Sequence, residues 1–548
     1  MSNEKKFVTY EEFGAVGDGK TNDFEAMMLA HQYANENKLP VKADGTKTYY
    51  ISDTEKDEVA RSIIIKTDTD FSGAQVIIDD TDITHAPGKK RNFNTAIFKV
   101  SPYDEKITLD EETVKKIGSL KKSDTKIDVG LGFPCMLIIY NENHRVYVRY
   151  GPNANAGSPQ HELVLIDAEG NIDPSTPIMH DYEELTKIEA IKTDIPTLTI
   201  ENGVFTQYAS HISTTKILPD GTKQKNSAYF HRQLVIQRSN TVVRNIKNYV
   251  KGEITLEEQA QGMTGPAYKG FFTAMNANNV LIEDCVVTAR RYYTPGTYGF
   301  GAALTNNIVL KNCTQTNFYL RDECGNLTTM ISMEASPLTN KTICWGLGGT
   351  NFCKNMVYDS CEITRFDAHQ GLCNGKIINS KLTMVNLIGY GDMLIENTTL
   401  ELKDNTLFNL RTDYGSTWEG TVTIKDCTVV PNETVTQKHE LIVCNNRWIN
   451  HNFGYTCHVP NIILDNVRFE KDVPLYLLQY HKLTEDSESY CTELIGEKVL
   501  SDGVTENKNP FVAPSFMKLI NNKSGAKIRV KRSPFLKNTT LEGFEIED

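Results

Sequence analysis

A short apolar pattern recurs along the middle of the chain and constrains its fold more than any other feature. Each copy opens on Asn, alternates apolar with polar side chains, and closes on a polar pair followed by Ile or Cys. The clearest copies span 240–246, 279–285, 307–313 and 355–361. Strands with one buried face alternate in this way, and repetition of a short unit is typical of stacked coils. The pattern therefore predicts a parallel β-helix.

Weaker copies of the pattern indicate the length of a coil. They begin at Gly375, Asp392, Thr421 and Asn461 and keep the apolar alternation. Their spacing suits coils of roughly 20 to 25 residues joined by loops of variable length. Because inward side chains of one coil rest on those of the next, the stacked coils would bury one continuous core.

The cysteines of the repeat fall at one position, which Cys285, Cys313, Cys361 and Cys427 occupy. Small thiols suit a buried column, whereas one ligand per coil does not close a tetrahedral metal site. None of the twelve cysteines belongs to a C-x-x-C pair. We therefore expect buried thiols in this column, and we expect neither a metal nor another cofactor.

The segment from Phe13 to Asp23 reads FGAVGDGKTND and leads into apolar residues at helical spacing. Its glycines suit a tight turn before a helix. The segment resembles the N-terminal cap of pectate-lyase-like β-helix proteins, a superfamily that includes polygalacturonases, polysaccharide lyases and phage tailspikes. The resemblance implies an all-β fold, a single-stranded right-handed parallel β-helix with an N-terminal capping helix, and a protein that acts on carbohydrate.

The chain is predicted to have four parts, because the coil rhythm is interrupted and later fades. They are an N-terminal cap with the first coils at 1–98, an inserted β-rich subdomain at 99–230, the main parallel β-helix with the active face at 231–470, and C-terminal coils with a cap at 471–548. Within the insertion, alternating apolar residues between turn signals predict antiparallel strands. These strands are predicted at 136–140, 146–150 and 163–166.

Composition excludes two classes of partner. The 58 basic against 70 acidic residues give a net charge of −12, which is unsuited to binding a nucleic-acid backbone. No apolar run approaches the length of about 20 residues that crosses a bilayer, so no membrane partner is expected. The first residues lack a signal-peptide core, so we expect a cytoplasmic protein, or a secreted one whose signal was removed. Related β-helices sometimes form trimers, and the oligomeric state stays open.

Polar residues recur at the coil period after residue 320. One register holds Glu323, Trp345, His369, Gly391 and Asp413, and the positions two residues earlier hold Arg321, Ile343, Asp367, Gly389 and Arg411. Residues i and i+2 of a strand share a face, so these side chains are expected to line one surface. Partners two coils apart would lie roughly 10 Å from each other, near the carboxylate spacing of inverting glycosidases.

Two sets of candidate site residues follow from this surface. The candidate catalytic residues are Asp367, His369, Asp413, Arg411 and Glu323. The candidate substrate-binding residues are Arg365, Trp345, Tyr390, Tyr414, Trp418 and Arg321, because aromatic rings stack on sugars and guanidinium groups hold anions.

Three functions are compatible with these residues. The preferred hypothesis is a glycoside hydrolase acting on a poly- or oligosaccharide, with Asp367 and Asp413 as the acid/base pair. A metal-independent polysaccharide lyase is the alternative, with His369 as the base and Arg365 or Arg411 neutralising a uronate. The third is a non-catalytic, tailspike-like glycan-binding protein. The chain lacks the G-H-G and R-I-K motifs of polygalacturonases, so the catalytic roles of that family are not transferred.

Overall fold

The structure is a computed structural model of the chain that carries side chains. It describes residues 6–56, 59–81, 95–151, 154–208, 212–213, 215–217, 223–225, 232–251, 263–264, 270–288, 299–316, 320–321, 327–329, 350–363, 365–401, 407–430, 442–444, 452–470, 474–475, 511–522, 528–531 and 536–547. The contacts divide the chain into two compact units. The first comprises Met1–Glu105, Ile195–Ala302 and Val309–Gly348, and the second comprises Lys106–Asp194, Ala303–Ile308 and Gly349–Asp548.

The first unit contains one α-helix, Phe24–Asn37, and a 3₁₀ turn at Glu11–Phe13 among its described residues. Its strands are Asp18–Asn22, Val41–Lys42, Thr48–Ile51, Glu55–Lys56, Val59–Ala60, Ile63–Ile65, Thr69–Asp70, Gln75–Asp79, Phe98–Val100, Leu198–Tyr208, Ile212–Ser213, Thr215–Ile217, Lys223–Lys225, Leu234–Ile236, Thr241–Lys251, Met263–Thr264, Phe272–Glu283, Val286–Thr288, Thr314–Thr316, Leu320–Arg321 and Leu327–Thr329. A further strand, Phe300–Lys311, has residues in both units.

In the second unit, the described helices are the α-helix Glu111–Ile117 and a 3₁₀ turn at Thr412–Tyr414. Its strands are Ile107–Thr108, Cys135–Val146, Ser158–Ile166, Lys187–Lys192, Thr350–Asn351, Lys354–Asp359, Arg365–Gln370, Leu372–Ile378, Lys381–Leu382, Met384–Leu387, Gly389–Glu396, Thr399–Glu401, Phe408–Leu410, Trp418–Lys425, Thr428–Val430, Ile442–Cys444, Asn461–Asp465, Arg468–Phe469, Pro474–Leu475, Phe516–Ile520, Arg529–Lys531, Thr540–Glu542 and Glu545–Glu547.

The strand pairings confirm the predicted fold class, a right-handed parallel β-helix. In the first unit, Thr241–Lys251 pairs in parallel with Leu198–Tyr208 on one side and with Phe272–Glu283 on the other. The described strands of the second unit form four parallel ladders, and parallel crossovers are almost always right-handed. Its longest ladder, here called the long ladder, contains Lys354–Asp359, Leu372–Ile378, Gly389–Glu396, Trp418–Lys425, Asn461–Asp465, Phe516–Ile520 and Thr540–Glu542.

The polar pair that closes each repeat forms a corner between two sheets. Asn379 and Asn397 occupy this place with φ of 53° and 47°, in the left-handed region that Asn tolerates better than most residues. Their side chains also form a ladder from coil to coil. Asn379 Nδ2 donates to Asp359 Oδ1 at 3.1 Å, and Asn397 Nδ2 donates to Asn379 Oδ1 at 2.8 Å. Both properties explain why a polar pair recurs in the sequence.

The cysteines of the repeat are buried free thiols, as the sequence predicts. Cys361 and Cys427 each donate to the backbone carbonyl two residues earlier, at 3.4 Å and 3.1 Å. Burial raises the pKa of Cys427 to about 11, so this thiol stays protonated near neutral pH. Among the described residues, no group of acidic, histidine or cysteine side chains is arranged to hold a metal ion.

The N-terminal segment confirms the predicted helix and excludes a phosphate loop. The letters from Gly14 to Thr21 match G-x-x-x-x-G-K-T, but Lys20 and Thr21 lie within a strand that precedes the helix. The Asp18 carboxylate accepts hydrogen bonds from the backbone N–H groups of both residues, at 2.9 Å and 2.7 Å. A phosphate loop would direct such groups at the phosphates instead. No described helix is both long and apolar enough to cross a membrane.

An antiparallel sheet forms part of the second unit. Its strands lie in the order Ile107–Thr108, Lys187–Lys192, Cys135–Val146 and Ser158–Ile166. The sequence predicts antiparallel strands here, and one of them, at 146–150, is not a separate strand. The preceding strand ends at Val146, and the next residue, Tyr147, has a φ of 52°, which lies outside the extended region that a strand requires. The next strand, Leu198–Tyr208, already pairs in parallel.

Candidate functional site

Asp367 and His369 lie on the strand Arg365–Gln370, but their coil neighbours differ from the expected ones. Asp367 pairs with Asn386, and Asn386 pairs with Asn409. The predicted neighbour Gly389 instead pairs with Leu372 and Trp418. The prediction that coils repeat at a constant period is therefore wrong for these residues, because consecutive coils differ in length.

Asp367 lies in a network of charged side chains. Its side chain is completely buried and Arg365 Nη2 lies 2.8 Å from its Oδ1. On its other side, His369 Nδ1 is 3.5 Å from Oδ2. The amide of Asn386 is 3.4 Å from Oδ1. The carboxylate is thus buried next to a guanidinium group, an imidazole and an amide.

Arg411 joins Asp367's neighbour His369 to Asp413. Arg411 Nη1 donates to His369 Nδ1 at 2.6 Å, so the neutral imidazole carries its proton on Nε2. Arg411 also donates to both carboxylate oxygens of Asp413, at 3.1 Å and 2.7 Å. Arg149, a residue that sequence reasoning did not single out, adds a second contact at 2.9 Å. The described cluster holds three guanidinium groups and two carboxylates.

The arginines fix the protonation of this network. Burial alone would raise the pKa of Asp367, but the Arg365 charge outweighs burial and holds that pKa well below its ordinary value. Burial also acts to raise the pKa of Asp413, and the contacts with Arg411 lower it overall. Burial and then the Arg411 charge lower the pKa of His369. Neither carboxylate is suited to carry a proton as a general acid near neutral pH.

The predicted aromatic platform is largely buried. Trp418 is fully buried and its Nε1 donates to Gly391 O at 3.0 Å, so its ring faces no space that a sugar could occupy. Tyr414 is 2% exposed, with the Arg149 and Arg411 guanidinium groups 5.5 Å and 5.3 Å from its ring centre. Tyr414 therefore packs against the arginine network, and neither ring offers an open surface.

Three further candidates cannot be placed in a site. Glu323 and Trp345 lie outside the described residues. Arg321 ends the short strand Leu320–Arg321, and only its backbone belongs to the described structure.

A different column of side chains crosses the outward face of the long ladder. Its members pair in the order Lys354, Cys373, Tyr390 and Glu419. Successive members are separated by 19, 17 and 29 residues, so a search at constant period misses them. One sequence feature does point to this column. Trp418 and Glu419 are adjacent in a strand, and adjacent side chains of a strand point to opposite faces, so a buried Trp418 implies an outward Glu419. In the structure Trp418 is buried and Glu419 is partly exposed.

Tyr390 and Glu419 line a cleft of about 100 Å³ within the second unit. The antiparallel sheet and the segment between its strands Ser158–Ile166 and Lys187–Lys192 contribute further lining residues. Tyr147, His161, His180 and Tyr455 also line the cleft. Glu419 Oε1 also lies 3.6 Å from Lys122 Nζ, with both side chains about half exposed. The cleft therefore presents a carboxylate, imidazoles and phenols to one small volume.

The protonation states in this cleft are set mainly by burial. The His180 ring lies 4.4 Å from the Tyr390 ring at 76°, an edge-to-face contact. Burial lowers the pKa of His180 and raises that of Tyr390 well above its ordinary value. Near neutral pH, the imidazole is accordingly neutral and can accept a proton, while the phenol keeps its proton and can donate one.

The cleft and the arginine network share one aromatic wall. Tyr455 lines the cleft, and its hydroxyl donates a hydrogen bond to Tyr414 O. Tyr414 follows Asp413 in the 3₁₀ turn and belongs with Tyr147 to one apolar cluster. The backbone N–H of Tyr150 donates to Asp413 O at 3.0 Å. The turn that carries Asp413 is thus fixed next to the cleft.

Comparison with known proteins gives one short sequence match. No protein-family model matches the chain. A depolymerase of a Klebsiella phage, specific for the KL64 capsule, is 31% identical over 98 residues. The match covers 16% of this chain and 10% of the depolymerase, so the chain spans only a small part of that relative.

Several solved β-helix structures are similar in fold at low identity. The tailspike of an Acinetobacter baumannii bacteriophage, solved with capsular saccharide, has a TM-score of 0.44 and 10% identity, with 98% of this chain and 79% of the tailspike covered. An exopolygalacturonase of Yersinia enterocolitica has a TM-score of 0.34 and 11% identity, with 100% and 76% covered. A surface adhesin of Streptococcus pneumoniae has a TM-score of 0.38 and 10% identity, with 96% and 99% covered. The fold assignment rests on the strand pairings of this chain.

Proposed function

We propose that this protein cleaves a polysaccharide in the cleft lined by Glu419, Tyr390 and His180. The observation that carries the proposal is the meeting of these three groups in one cleft on the outward face of a parallel β-helix. Together they supply a carboxylate, a protonated phenol and a neutral imidazole, which are groups that exchange protons in catalysis. The short match to a capsule depolymerase supports a polysaccharide as the substrate.

Glycoside hydrolysis is the reaction we favour. Glu419, in its carboxylic acid form, donates its proton to the glycosidic oxygen, and a second carboxyl group, which is ionised, takes a proton from the water that attacks the anomeric carbon. We propose Asp413 for the second role, because its arginines keep it ionised and its side chain remains 17% exposed. Asp367 is not assigned a role in catalysis, since it is completely buried behind Arg365.

Elimination by a lyase mechanism is the second candidate, and the state of two side chains favours it. A neutral His180 can take the proton from C5 of a uronate, and a protonated Tyr390 can give a proton to the leaving glycosidic oxygen. The bond to that oxygen breaks as a C4–C5 double bond forms. This reaction requires an acidic polysaccharide and gives a product that absorbs ultraviolet light.

One set of digestions tests both reactions. Neutral and uronate-containing polysaccharides would be incubated with the protein and assayed for reducing ends and for ultraviolet absorbance. Hydrolysis gives reducing ends without absorbance, lost in Glu419→Gln and reduced in Asp413→Asn. Elimination gives absorbance that is lost in His180→Asn and Tyr390→Phe. Binding without any product would contradict catalysis and leave a glycan-binding protein.

A control variant tests whether removing any partly exposed carboxylate, rather than that of Glu419 in particular, lowers the activity. Glu401 lies on a shorter ladder of the same unit, where its carboxylate is 2.9 Å from Lys381 Nζ and 43% exposed. Its exposure is close to the 44% of Glu419, and it does not line the cleft. Glu401→Gln should therefore keep full activity.

A further inference from the structure

We propose that the ion pair of Lys354 and Glu162 positions His180 against Tyr390 in the cleft. The inference rests on the proposed function for its catalytic consequence, but the position of the ring can be measured without a substrate. Both charged residues are positioning residues, because neither lines the cleft.

The pair is almost completely buried. Lys354 Nζ is 2.8 Å from Glu162 Oε2, with 2% and 1% of the two side chains exposed. Lys354 belongs to the column that leads through Cys373 to Tyr390, whereas Glu162 belongs to the antiparallel sheet. One bond thus connects the two sheets of this unit that form the walls of the cleft.

Both partners also hold the backbone that leads to His180. Lys354 Nζ donates to Pro177 O at 2.7 Å. The Glu162 carboxylate accepts hydrogen bonds from the N–H groups of Met179 and His180, at 3.0 Å and 3.2 Å. The ammonium and the carboxylate therefore hold opposite polar groups of one four-residue segment. This segment has no strand or helix of its own that would fix it.

Stability alone does not explain a charged pair at this place. Burying two charges costs desolvation energy that their attraction often only balances, and apolar side chains of similar size would join two sheets as well. Apolar side chains would not, however, supply the donor for Pro177 O or the acceptor for the N–H groups of Met179 and His180. The pair therefore orients a backbone segment, and with it an imidazole ring.

The ion pair therefore keeps the His180 ring in one position, largely shielded from water. Its ring contacts Tyr390, and the charged groups that act on it are Glu162, Glu419, Lys122 and Lys354. A ring released from this place would be exposed to water, and its pKa would move toward the ordinary value of about 6.5. The ring position can therefore be monitored by its titration.

The test removes both charges together, so that no unpaired charge is left buried. Lys354→Met with Glu162→Met keeps the side-chain volumes approximately and removes both the donor to Pro177 O and the acceptor for the N–H groups of Met179 and His180. We expect a folded protein in which the His180 signal, followed by NMR of ring-labelled histidine and assigned with His180→Gln, titrates closer to 6.5 than in the wild type. For the elimination reaction, in which His180 takes the proton, we also expect kcat to fall roughly 10- to 100-fold, because misplacement by about 1 Å can cost that much, with a smaller change in KM.

A second buried pair gives the matched control. Arg232 and Asp80 lie 2.8 Å apart in the first unit, with 4% and 0% of their side chains exposed. Arg232→Met with Asp80→Asn should change neither the His180 titration nor kcat. Unchanged titration and kcat in the Lys354 and Glu162 double variant would overturn the inference. If the wild type cleaves no polysaccharide, the proposed function fails, while the His180 titration still decides whether the pair positions the ring.

Discussion

Replacing Asp367 by Asn should destabilise the protein strongly without removing a proton donor from the reaction. The Asp367 carboxylate is completely buried, 2.8 Å from Arg365 and 3.5 Å from His369. Asn keeps the shape but leaves the charge of Arg365, and part of that of Arg411, without compensation. Removing one partner of a buried pair costs about 3–5 kcal/mol. We expect a loss of that size in the free energy of unfolding at pH 7.

Urea unfolding followed by tryptophan fluorescence would measure this loss. The midpoint should fall while the slope with denaturant stays the same, since the same surface is exposed on unfolding. Asp392→Asn is the control, because Asp392 is an exposed carboxylate of the long ladder, and its replacement should change stability by less than about 0.5 kcal/mol. Equal midpoints for Asp367→Asn and the wild type would refute the reasoning.

The effect should also depend on pH in one direction. The pKa of Asp367 is lowered in the folded protein, so its ionisation stabilises the fold above the unfolded value of about 3.9. This stabilisation is lost as the pH falls through the lower folded pKa. The difference in stability between wild type and Asp367→Asn should therefore be largest near neutral pH and shrink in acid. A difference that grows on acidification would contradict the assigned direction of the shift.

The fold could be predicted from local sequence because the corners of the coils depend on local chemistry. Asn379 and Asn397 adopt positive φ and bond to the corner of the previous coil, so every coil needs such a residue at the same place. The buried cysteines likewise follow from their position after these corners. A pattern repeated for these reasons is visible in one sequence.

The candidate site was only partly predictable, since it depends on the lengths of loops. Between corners the coils add different numbers of residues, so Asp367 pairs with Asn386 and the column through Tyr390 and Glu419 follows no constant period. Arg149 and His180 come from the antiparallel sheet region, and no repeat links them to the coils. Their approach to the site follows from tertiary packing, which the sequence pattern does not encode.

Three further predictions concern packing and reactivity. Trp418→Ala should lower the free energy of unfolding by about 3–5 kcal/mol in urea, because a fully buried indole leaves a cavity, while Trp418→Phe should cost less. Asn379→Ala should cost about 1–2 kcal/mol, since Ala at a φ of 53° is strained and the ladder bond to Asp359 is lost. Of the twelve cysteines, eight are described as buried and free, so a thiol reagent should modify no more than four in the native protein and all twelve after unfolding.

The central claim is that a polysaccharide is hydrolysed in the cleft, with Glu419 as the proton donor. Its most direct test is to compare the wild type, Glu419→Gln and Glu401→Gln on capsular polysaccharides, with reducing ends and ultraviolet absorbance measured together. The account predicts product from the wild type and Glu401→Gln and a loss of at least roughly 100-fold in rate for Glu419→Gln, the upper part of the range for removing one acid/base group. Equal rates for all three proteins would contradict it.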